Sequence, residues 1–346
     1  MAVSALVLCP DDSPLLLGSY GRALRSLGVR VTYWDFMRAL NAHVRLGRIG
    51  SIFSSFVPVE PWITKGNRDL IHRVLDDSPS LVLFGGAMPV RAGALAQIKM
   101  SRPDTKLVLL WPDTLLNLTN ATMASFPVCD LVVSYSSTAV PILERLGARR
   151  VEWLPFAADT ELFREDIPIS ETERSKYESD VCFVGNHRPE REAALIALSD
   201  AGLRVRAWGD PIWIKNAANP RRMTEIFGGG EILGAELNKA LRCTKISLNV
   251  IDSTNFPAAN MRFFEIYACG GSPLSSRCPE MEPEFGHGES AFYFDRDGVV
   301  EKAQELLERS ELREKIAAQG RKLTLSSHTY RHRAQTLLQH LDIKTD

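Results

Sequence analysis

Short apolar runs alternate with amphipathic segments along the whole chain. In the first half, the runs that predict β-strands lie at residues 5–9, 29–34, 80–85, 106–111, 130–135 and 149–154. Helical patterns separate them at about 62–76, 89–100, 114–125 and 137–146, and Ser13-Pro14 predicts a further helix with a capping serine and a first-turn proline. Near-continuous apolar strands separated by helices indicate a parallel sheet that is covered on both faces.

The same alternation returns in the second half. Predicted strands at 180–185, 203–209, 245–250, 270–276 and 290–294 alternate with helices at about 189–200, 234–243, 259–269 and 297–308, and helices near 311–325 and 329–341 follow. Residues 155–179 between the halves are polar and lack hydrophobic periodicity, as a linker does. The pattern therefore predicts an α/β protein with two βαβ domains in tandem, in which ligands bind beyond the carboxyl ends of the strands.

One stretch of the second half, residues 211–233, shows no clear periodicity and is longer than most connections. It contains the glycine-rich run FGGGE at 227–231. We interpret it as a mobile flap over a cleft between the two predicted domains, with disorder as the alternative.

The composition is that of an ordinary globular protein. A length of 346 residues suits about two domains, and the net charge of −1, with basic residues spread along the chain, disfavours a nucleic acid partner. No apolar run approaches the ~18 residues that would span a bilayer, and the first residues lack the basic region of a signal peptide. We therefore expect a cytoplasmic protein without a transmembrane segment, and peripheral membrane contact stays open. The six cysteines form no CxxC pair, which disfavours structural zinc and disulfides.

Glycine and arginine residues follow the predicted strand 180–185. Gly185 and Asn186 precede a helix, and such a turn lets a phosphate approach backbone N–H groups and the positive end of the helix dipole. Arg188 and Arg191 lie in or beside the first helical turn, where cations oppose the dipole unless an anion compensates. An ordinary turn with solvated arginines explains the pattern equally well. His187 beside them is more typical of a turn residue than of a catalyst.

A charged pair interrupts the apolar segment NMRFFEIYACGG, residues 260–271. On a helix over 259–269, Arg262 and Glu265 are three residues apart, and Asn260 lies at the helix start. An exposed surface pair is the alternative. We favour a binding role, because charges beside buried surface are unfavourable unless a ligand with phosphate and hydroxyl groups matches them.

The strand-end residues Asp210 and Asn249 are weaker candidates in the second half. Each follows an apolar run, in WGD and ISLNV respectively. They are candidates for contact with a base or ribose, and turn chemistry is the alternative, above all for Asp210.

These motifs resemble a known family. The segments FVGNHRPERE, WGD, NMRFFEIYACGG, FGHGESAFYFD and SHTYRHRAQTLLQHL resemble the C-terminal half of CgeB-like glycosyltransferases, a branch of the GT-B superfamily. LWPDT, DLVVSYS and VEWLPFAADTELF are similar to the N-terminal half and the interdomain segment. The resemblance covers most of the chain, with its specific motifs concentrated in residues 180–335.

The resemblance implies the GT-B fold, with two tandem Rossmann-like domains whose parallel sheets face a central cleft and a C-terminal helix that crosses back. It divides the chain into an acceptor-side N-terminal domain (1–160), a linker (161–179), a nucleotide-sugar donor domain (180–328) and a C-terminal helix that packs on the first domain (329–346).

The resemblance also implies a function. It predicts a hexosyltransferase, metal-independent and retaining, that needs no cofactor and takes the sugar from a nucleoside diphosphate sugar. A UDP-sugar is the favoured donor, and the acceptor is an unidentified glycan, small molecule or protein. The diphosphate would meet the Gly185–Arg191 turn and Arg262, the ribose Glu265, and the base Asp210 and Asn249.

The sequence departs from this family pattern at one position. In related retaining enzymes a Glu-x7-Glu pattern brackets the donor helix, and Glu265 matches its second glutamate. Pro257 stands where the first glutamate, a sugar contact, is expected. Two alternatives therefore stay open: a nucleotide-sugar epimerase or hydrolase of the same fold, and a non-catalytic sugar-nucleotide-binding protein.

Three aspartates of the first half are candidates for catalysis. Asp11 and Asp12 follow the first strand, and Asp113 follows the strand at 106–111. Each is a candidate acceptor contact or general base, and helix capping is the alternative. His328 and His332 have i,i+4 spacing on a predicted helix, but no third ligand accompanies them, so we expect no metal site.

Overall fold

The computed structural model describes residues 3–45, 50, 52, 58–295 and 297–344. Contacts divide the chain into two compact units, one of Met1–Pro155 with Arg331–Asp346 and one of Phe156–Tyr330. We call them the first and the second unit. Each is built around one six-stranded sheet in which all neighbouring strands run parallel.

The sheet of the first unit has the strand order β2-β1-β3-β4-β5-β6. Its strands are β1 (Ser4–Val7), β2 (Arg30–Tyr33), β3 (Leu81–Gly85), β4 (Lys106–Trp111), β5 (Leu131–Ser134) and β6 (Val151–Trp153). In the centre, Leu83 of β3 pairs with Val7 on one side and with Val108 on the other. The central strands are apolar along their whole length because helices cover both faces of the sheet.

The helices before the second unit are α1 (Leu16–Ser26), α2 (Phe36–Asn41), α3 (Glu60–Asp77), α4 (Ala92–Ser101), α5 (Asn120–Ser125) and α6 (Val140–Arg145), with short 3-10 helices at Leu115–Asn117, Phe126–Val128 and Ser137–Ala139. The predicted cap of α1 is wrong: the helix begins after Leu15, and Ser13 Oγ accepts a hydrogen bond from the Leu15 backbone N–H at 3.3 Å. The single helix predicted over 114–125 is divided, because the Thr119 side chain caps a new helix.

The sheet of the second unit has the strand order β12-β11-β10-β7-β8-β9. Its strands are β7 (Ser179–Val184), β8 (Val205–Trp208), β9 (Phe227–Gly229), β10 (Thr244–Asn249), β11 (Pro273–Ser276) and β12 (Tyr293–Phe294). The strand order reverses between β7 and β10. In open parallel sheets this switch point opens a crevice at the carboxyl ends of the strands, where ligands bind.

The remaining helices are α7 (Glu171–Tyr177), α8 (Pro189–Asp200), α9 (Ile212–Asn216), α10 (Pro220–Ile226), α11 (Gly234–Cys243), α12 (Met261–Ala268), α13 (Val299–Glu308), α14 (Ser310–Ser327) and α15 (Tyr330–His340). Helix α7 lies in the predicted linker. The side chains and backbone N–H groups of Ser170 and Glu173 cap it reciprocally, and Lys239 of α11 donates to Glu173 at 2.6 Å. Residues 156–179 thus belong to the second unit.

The prediction of a flap or disorder at 211–233 is wrong. Helices α9 and α10 and strand β9 occupy this stretch. Trp213 and Met223 are fully buried, and the Asn219 side chain caps α10 by accepting from the Arg222 N–H. Two buried side chains anchor helices too short to show a helical period in the sequence.

The C-terminal helix returns to the first unit, as predicted. From Arg331 onward, α15 belongs to the first unit, where Arg331 Nη1 donates to Ser26 Oγ at 3.0 Å and Arg333 Nε donates to the Pro155 carbonyl at 2.8 Å. His328 and His332 do not share a helix, because His328 ends α14 and His332 lies in α15. None of the helices in the described part of the chain combines the length and the apolar character needed to cross a bilayer.

Candidate functional site

The start of α12 lies at the carboxyl ends of β7 and β10, and Arg262 connects these elements. Its Nη1 donates to Glu265 Oε2 at 2.5 Å, and its Nε donates to the Val184 carbonyl at 3.3 Å. The two side chains are only 16% and 7% exposed, so the pair is not the solvated surface pair of the alternative interpretation. Arg262 Nη2 has no hydrogen-bond partner among the described residues.

Glu265 is a buried carboxyl group with an unusual electrostatic environment. Burial raises its pKa, the Arg262 guanidinium opposes this shift, and the nearby Asp159 carboxylate adds to it. Asp159 is itself buried, at 5% exposure, and its Oδ1 accepts from the Glu161 backbone N–H. Perturbed carboxyl groups at a strand-end crevice are typical of functional sites.

Asn260 and Asn249 bond to each other. Asn260 caps α12 by accepting from the Phe263 N–H at 3.1 Å, and its Nδ2 donates to Asn249 Oδ1 at 2.9 Å. Asn249, 1% exposed, donates onward to Ser275 Oγ at 3.1 Å. These bonds fix the start of α12 against the ends of β10 and β11.

The turn between β7 and α8 begins at Gly185, which a backbone carbonyl and an indole side chain hold in place. The Gly185 N–H donates to the Trp208 carbonyl at 3.0 Å, and Trp213 Nε1 donates to the Gly185 carbonyl at 2.8 Å. A Cβ atom on Gly209 would lie 2.3 Å from the Gly185 oxygen, so this close approach requires glycine at 209. The Asn186 carbonyl accepts from Arg191 Nη1 at 2.9 Å.

The two arginines of this turn have different environments. Arg191 is buried, with Nε donating to the Val250 carbonyl at 3.1 Å and Nη2 to Asp252 Oδ2 at 3.2 Å, and burial lowers its pKa. Arg188 is 49% exposed in its side chain, with Nε 3.7 Å from the same carboxylate oxygen. Arg191 therefore fastens the turn to the end of β10, while the half-exposed Arg188 guanidinium donates from Nη1 to the His187 carbonyl at 3.0 Å.

Asp210 lies at the carboxyl end of β8 in an exposed position. Its Oδ1 accepts from the Ile212 N–H at 2.8 Å and so helps to start α9. This is the turn chemistry of the alternative interpretation.

Sequence reasoning missed Asp252, which is 3% exposed and organises the loop after β10. Its Oδ1 accepts from the Thr254 N–H at 3.1 Å and from Thr254 Oγ1 at 2.5 Å, in addition to the bond from Arg191. The turn-forming run Asp-Ser-Thr-Asn at 252–255, shortly after β10, is the local signal that could have marked it.

The candidate aspartates of the first unit lie at strand ends but do not form a cluster. Asp11 is exposed and pairs with Arg25 at 3.2 Å, and Asp12 is exposed. Asp113 Oδ1 accepts from the Thr114 N–H at 2.7 Å, and its Oδ2 accepts from Asn117 Nδ2 at 2.7 Å. Strand β3 separates β1 from β4, so the first two aspartates and Asp113 follow non-adjacent strands.

A groove of about 990 Å³ also lies at the carboxyl ends of the strands of the second unit. Helices α8 and α13 line one side of it, and Val250, Ile251 and Phe256 line another. None of the predicted donor residues is among its lining residues. The groove and the Arg262–Glu265 pair are therefore two separate features at the carboxyl end of the sheet.

The described residues contain no group of three or more His, Cys, Asp or Glu side chains that could hold a metal ion. The six cysteines are buried and unpaired, and burial raises the pKa of Cys182, close to this site, to about 12. Their thiols are therefore small core groups rather than nucleophiles.

Solved structures with the same architecture define the fold class of this chain as GT-B. Sucrose-phosphate synthase from Thermosynechococcus elongatus aligns with 98% of this chain and 97% of its own, at 12% identity and a TM-score of 0.64. Anabaena Alr3699/HepE in complex with UDP-glucose aligns with 99% of both chains at 13% identity and a TM-score of 0.63. The trehalose-6-phosphate synthase OtsA aligns with 99% of both chains at 12% identity and a TM-score of 0.67.

A family model described as glycosyl transferase-like matches residues 188–339. The matched segment runs from the turn after β7 into α15 and includes the Arg262–Glu265 pair. No curated relative matched the chain by sequence. The chain thus combines the GT-B fold with a glycosyl transferase-like sequence in the part that carries the candidate site.

Proposed function

We propose that this protein is a glycosyltransferase of the CgeB-like branch, which transfers a sugar from a nucleoside diphosphate sugar to an acceptor. The observation that carries the proposal is the buried Arg262–Glu265 pair at the strand switch point of the second unit. A buried ion pair stabilises a fold poorly, because desolvation offsets the Coulomb attraction. A ligand that brings phosphate and hydroxyl groups accounts for the presence of both charges.

The proposed donor lies against the second unit. Arg262 Nη2, Arg188 and the backbone of the Gly185–Asn186 turn would meet the diphosphate, and the Glu265 carboxylate would accept hydrogen bonds from the ribose. Asp210 and Asn249 stay the proposed neighbours of the base. Arg191 contributes from behind, by fixing the turn to the end of β10.

A UDP-sugar is the favoured donor. Solved structures of Anabaena Alr3699/HepE, which shares this fold, contain UDP, UDP with glucose, or UDP-glucose. The shared fold makes UDP the first nucleotide to test, and at 13% identity between the two chains the sugar stays open.

The chemistry we propose is positioning together with neutralisation of the leaving diphosphate. A guanidinium binds two phosphate oxygens at once, and preformed N–H donors stabilise charge that develops as the glycosidic bond breaks. The two arginines, Arg188 and Arg262, and the backbone N–H groups of the Gly185–Asn186 turn would then neutralise the diphosphate, as a metal ion does in other transferases. Retention of the anomeric configuration is proposed on the family resemblance alone.

The first unit would bind the acceptor, and Asp11, Asp12 and Asp113 stay the proposed acceptor contacts or base. Both carboxylate oxygens of Asp113 are engaged in its own turn, whereas Asp12 is exposed. Asp12→Asn is therefore the sharper test of a base on this side: it should lower kcat and leave the Kd for UDP unchanged.

A non-catalytic sugar-nucleotide-binding protein is the second candidate, and Pro257 favours it because a sugar-contacting glutamate is expected there. Incubation with UDP-, GDP-, dTDP- and CMP-sugars and candidate acceptors separates the possibilities. Free nucleotide with glycosylated product supports transfer, an isomerised sugar supports epimerisation, and binding without turnover supports the second candidate. Failure to bind any of the four nucleotides overturns the proposal.

A further inference from the structure

Glu192 of α8 is a buried carboxylate that joins two separate segments of the second unit. It is 3% exposed. Its Oε2 accepts from His187 Nε2 at 2.8 Å and from the Ala218 N–H at 3.1 Å, and its Oε1 accepts from the Asn219 N–H at 2.8 Å. His187 belongs to the turn after β7, and the two amides form the connection between α9 and α10.

The charge state of Glu192 follows from these bonds. Burial alone would raise its pKa, but the hydrogen bonds from His187, Asn219 and Ala218 outweigh burial, and the pKa is lowered. Glu192 is thus an ionised carboxylate inside the protein, and each of its bonds is charge-assisted and stronger than a neutral one.

Trp213 holds the same turn from the other side. Its indole Nε1 donates to the Gly185 carbonyl at 2.8 Å, and the His187 ring meets the indole edge-on, with centroids 4.9 Å apart and planes at 87°. The His187 ring is therefore held between a carboxylate and an aromatic face. Its side chain is only 10% exposed although it belongs to a turn.

Both joined segments carry proposed donor contacts. The turn contains Gly185, Asn186 and Arg188, and Asp210 begins the segment that continues through α9 to the amides held by Glu192. We propose that Glu192 is a positioning residue for the donor site: it holds the turn after β7 and the α9–α10 connection in one arrangement that fits a nucleoside diphosphate. This inference rests on the proposed function.

Glu192→Gln tests the inference with little change in volume. The amide retains one acceptor oxygen, but its NH₂ group faces an N–H donor, either that of Asn219 or those of His187 and Ala218. We expect the Kd for UDP, measured by calorimetry, to rise about tenfold, because the binding arrangement would then make up only about a tenth of the free, folded protein.

Asp180→Asn is the matched control. Asp180 is another ion-paired carboxylate of the second unit, 22% exposed in its side chain, and accepts from the Arg204 N–H at 2.9 Å and from Lys245 Nζ at 2.8 Å. Asp180 lies at the amino end of β7, whereas the turn proposed to bind the donor follows the carboxyl end of the same strand. Its Asn variant should unfold at a lower denaturant concentration and keep the wild-type Kd.

A purely structural role of Glu192 makes a different prediction. It would lower the fraction of folded, binding-competent protein and thus the stoichiometry, with no change in Kd. A positioning role raises the Kd of the folded fraction and the KM for the donor, with a smaller change in kcat. Hydrogen exchange should also accelerate in the peptides that contain residues 185–188 and 217–219 of Glu192→Gln, with or without nucleotide.

His187→Phe keeps the test decisive where Glu192→Gln does not fold. The phenyl ring preserves the contact with Trp213 and removes the bond to Glu192, so we expect a rise in Kd here as well. An unchanged Kd in a folded variant, while the wild type binds UDP, overturns the positioning role and leaves the proposed function standing. A wild type that binds no UDP, GDP, dTDP or CMP overturns the proposed function, and this inference with it.

Discussion

Arg262 and Glu265 stand one helical turn apart on α12 and meet at 2.5 Å between Nη1 and Oε2, in a place where both side chains are largely buried. Arg262 also donates to the Val184 carbonyl, so the pair connects α12 to the end of β7. The guanidinium thus keeps a fixed orientation without a ligand, and its Nη2 is left for one. Such preorganisation reduces the entropy lost when a ligand binds.

Arg262→Lys should weaken UDP binding by about 1.5–3 kcal/mol, the range for hydrogen bonds to charged groups. A lysine ammonium is a point charge and cannot bond to Val184, Glu265 and a diphosphate in one planar arrangement. Calorimetric titration with UDP measures the change.

Arg222→Lys is the control for this substitution. Arg222 forms ion pairs with Asp200 and Glu225 at the surface of the second unit and is no proposed donor contact. We expect wild-type affinity for UDP in this variant. Equal affinities of the wild type and a folded Arg262→Lys protein would contradict the donor-site assignment.

The affinity for UDP should depend on pH through Glu265. Burial raises the pKa of this carboxyl above its usual value of 4.5, with Arg262 opposing the shift and Asp159 adding to it. The ionised form accepts hydrogen bonds from the ribose hydroxyls with full charge on both oxygens, whereas protonation turns one oxygen into a donor, so affinity is lost as the pH falls through the raised pKa. The loss therefore begins at a higher pH than an ordinary glutamate would give.

Glu265→Gln provides the reference for the pH measurement, because the nucleotide's own titration affects both proteins equally. The ratio of wild-type to variant affinity should be large near pH 8 and should fall as the pH is lowered through the raised pKa of Glu265, since a protonated glutamate resembles glutamine. Equal affinities of the wild type and Glu265→Gln near pH 8 would show that the Glu265 carboxylate does not contact the nucleotide.

Much of the fold could be predicted from the sequence because parallel strands buried on both faces are apolar along their whole length. The run at 180–185 corresponds to β7, and the helix predicted over 259–269 corresponds to α12, Met261–Ala268. The polar residues within that helix stood out because the core around them is so uniformly apolar.

Residues 211–233 could not be assigned correctly from the sequence, because helices of one or two turns have too few positions to reveal a hydrophobic period. Helices α9 and α10 depend on the burial of Trp213 and Met223, which only the assembled core provides.

The different roles of Arg188 and Arg191 in the turn after β7 could not be predicted from the sequence either. The Arg191 guanidinium points inward, where it donates a hydrogen bond to the carboxylate of Asp252, 61 residues later. A local sequence pattern cannot predict a partner so distant in the chain.

Gly209→Ala should destabilise the second unit by about 1–3 kcal/mol, the usual cost of overpacking. The new Cβ would lie 2.3 Å from the Gly185 oxygen and 2.7 Å from Trp213 Nε1, so the backbone must shift and the bond between these two residues is strained. Gly230→Ala is the control, because no atom lies within 4 Å of a Cβ built there. Urea unfolding followed by circular dichroism compares the variants, and an equal effect of both substitutions would contradict the prediction.

Substitutions at Asn260 should separate the stability of α12 from its role in binding. Asn260→Ala removes the N-cap and should lower the free energy of unfolding by about 1–2 kcal/mol. Asn260→Asp keeps an oxygen for the Phe263 N–H. The Asn249 amide can rotate by half a turn to donate to the new carboxylate, and the Ser275 hydroxyl can then donate to the Asn249 oxygen, so Asn260→Asp should lose less stability than Asn260→Ala.

The same Asn260→Asp change places a negative charge at the amino end of α12, where we propose that the diphosphate lies. Repulsion over a few ångströms at a partly screened site should weaken UDP binding by about 1 kcal/mol or more, an effect that shrinks as salt is added. Urea unfolding and calorimetry at two salt concentrations measure the two quantities on one protein. Wild-type affinity in this stable variant would mean that the diphosphate does not approach the start of α12, because a charge so close to it cannot be without effect.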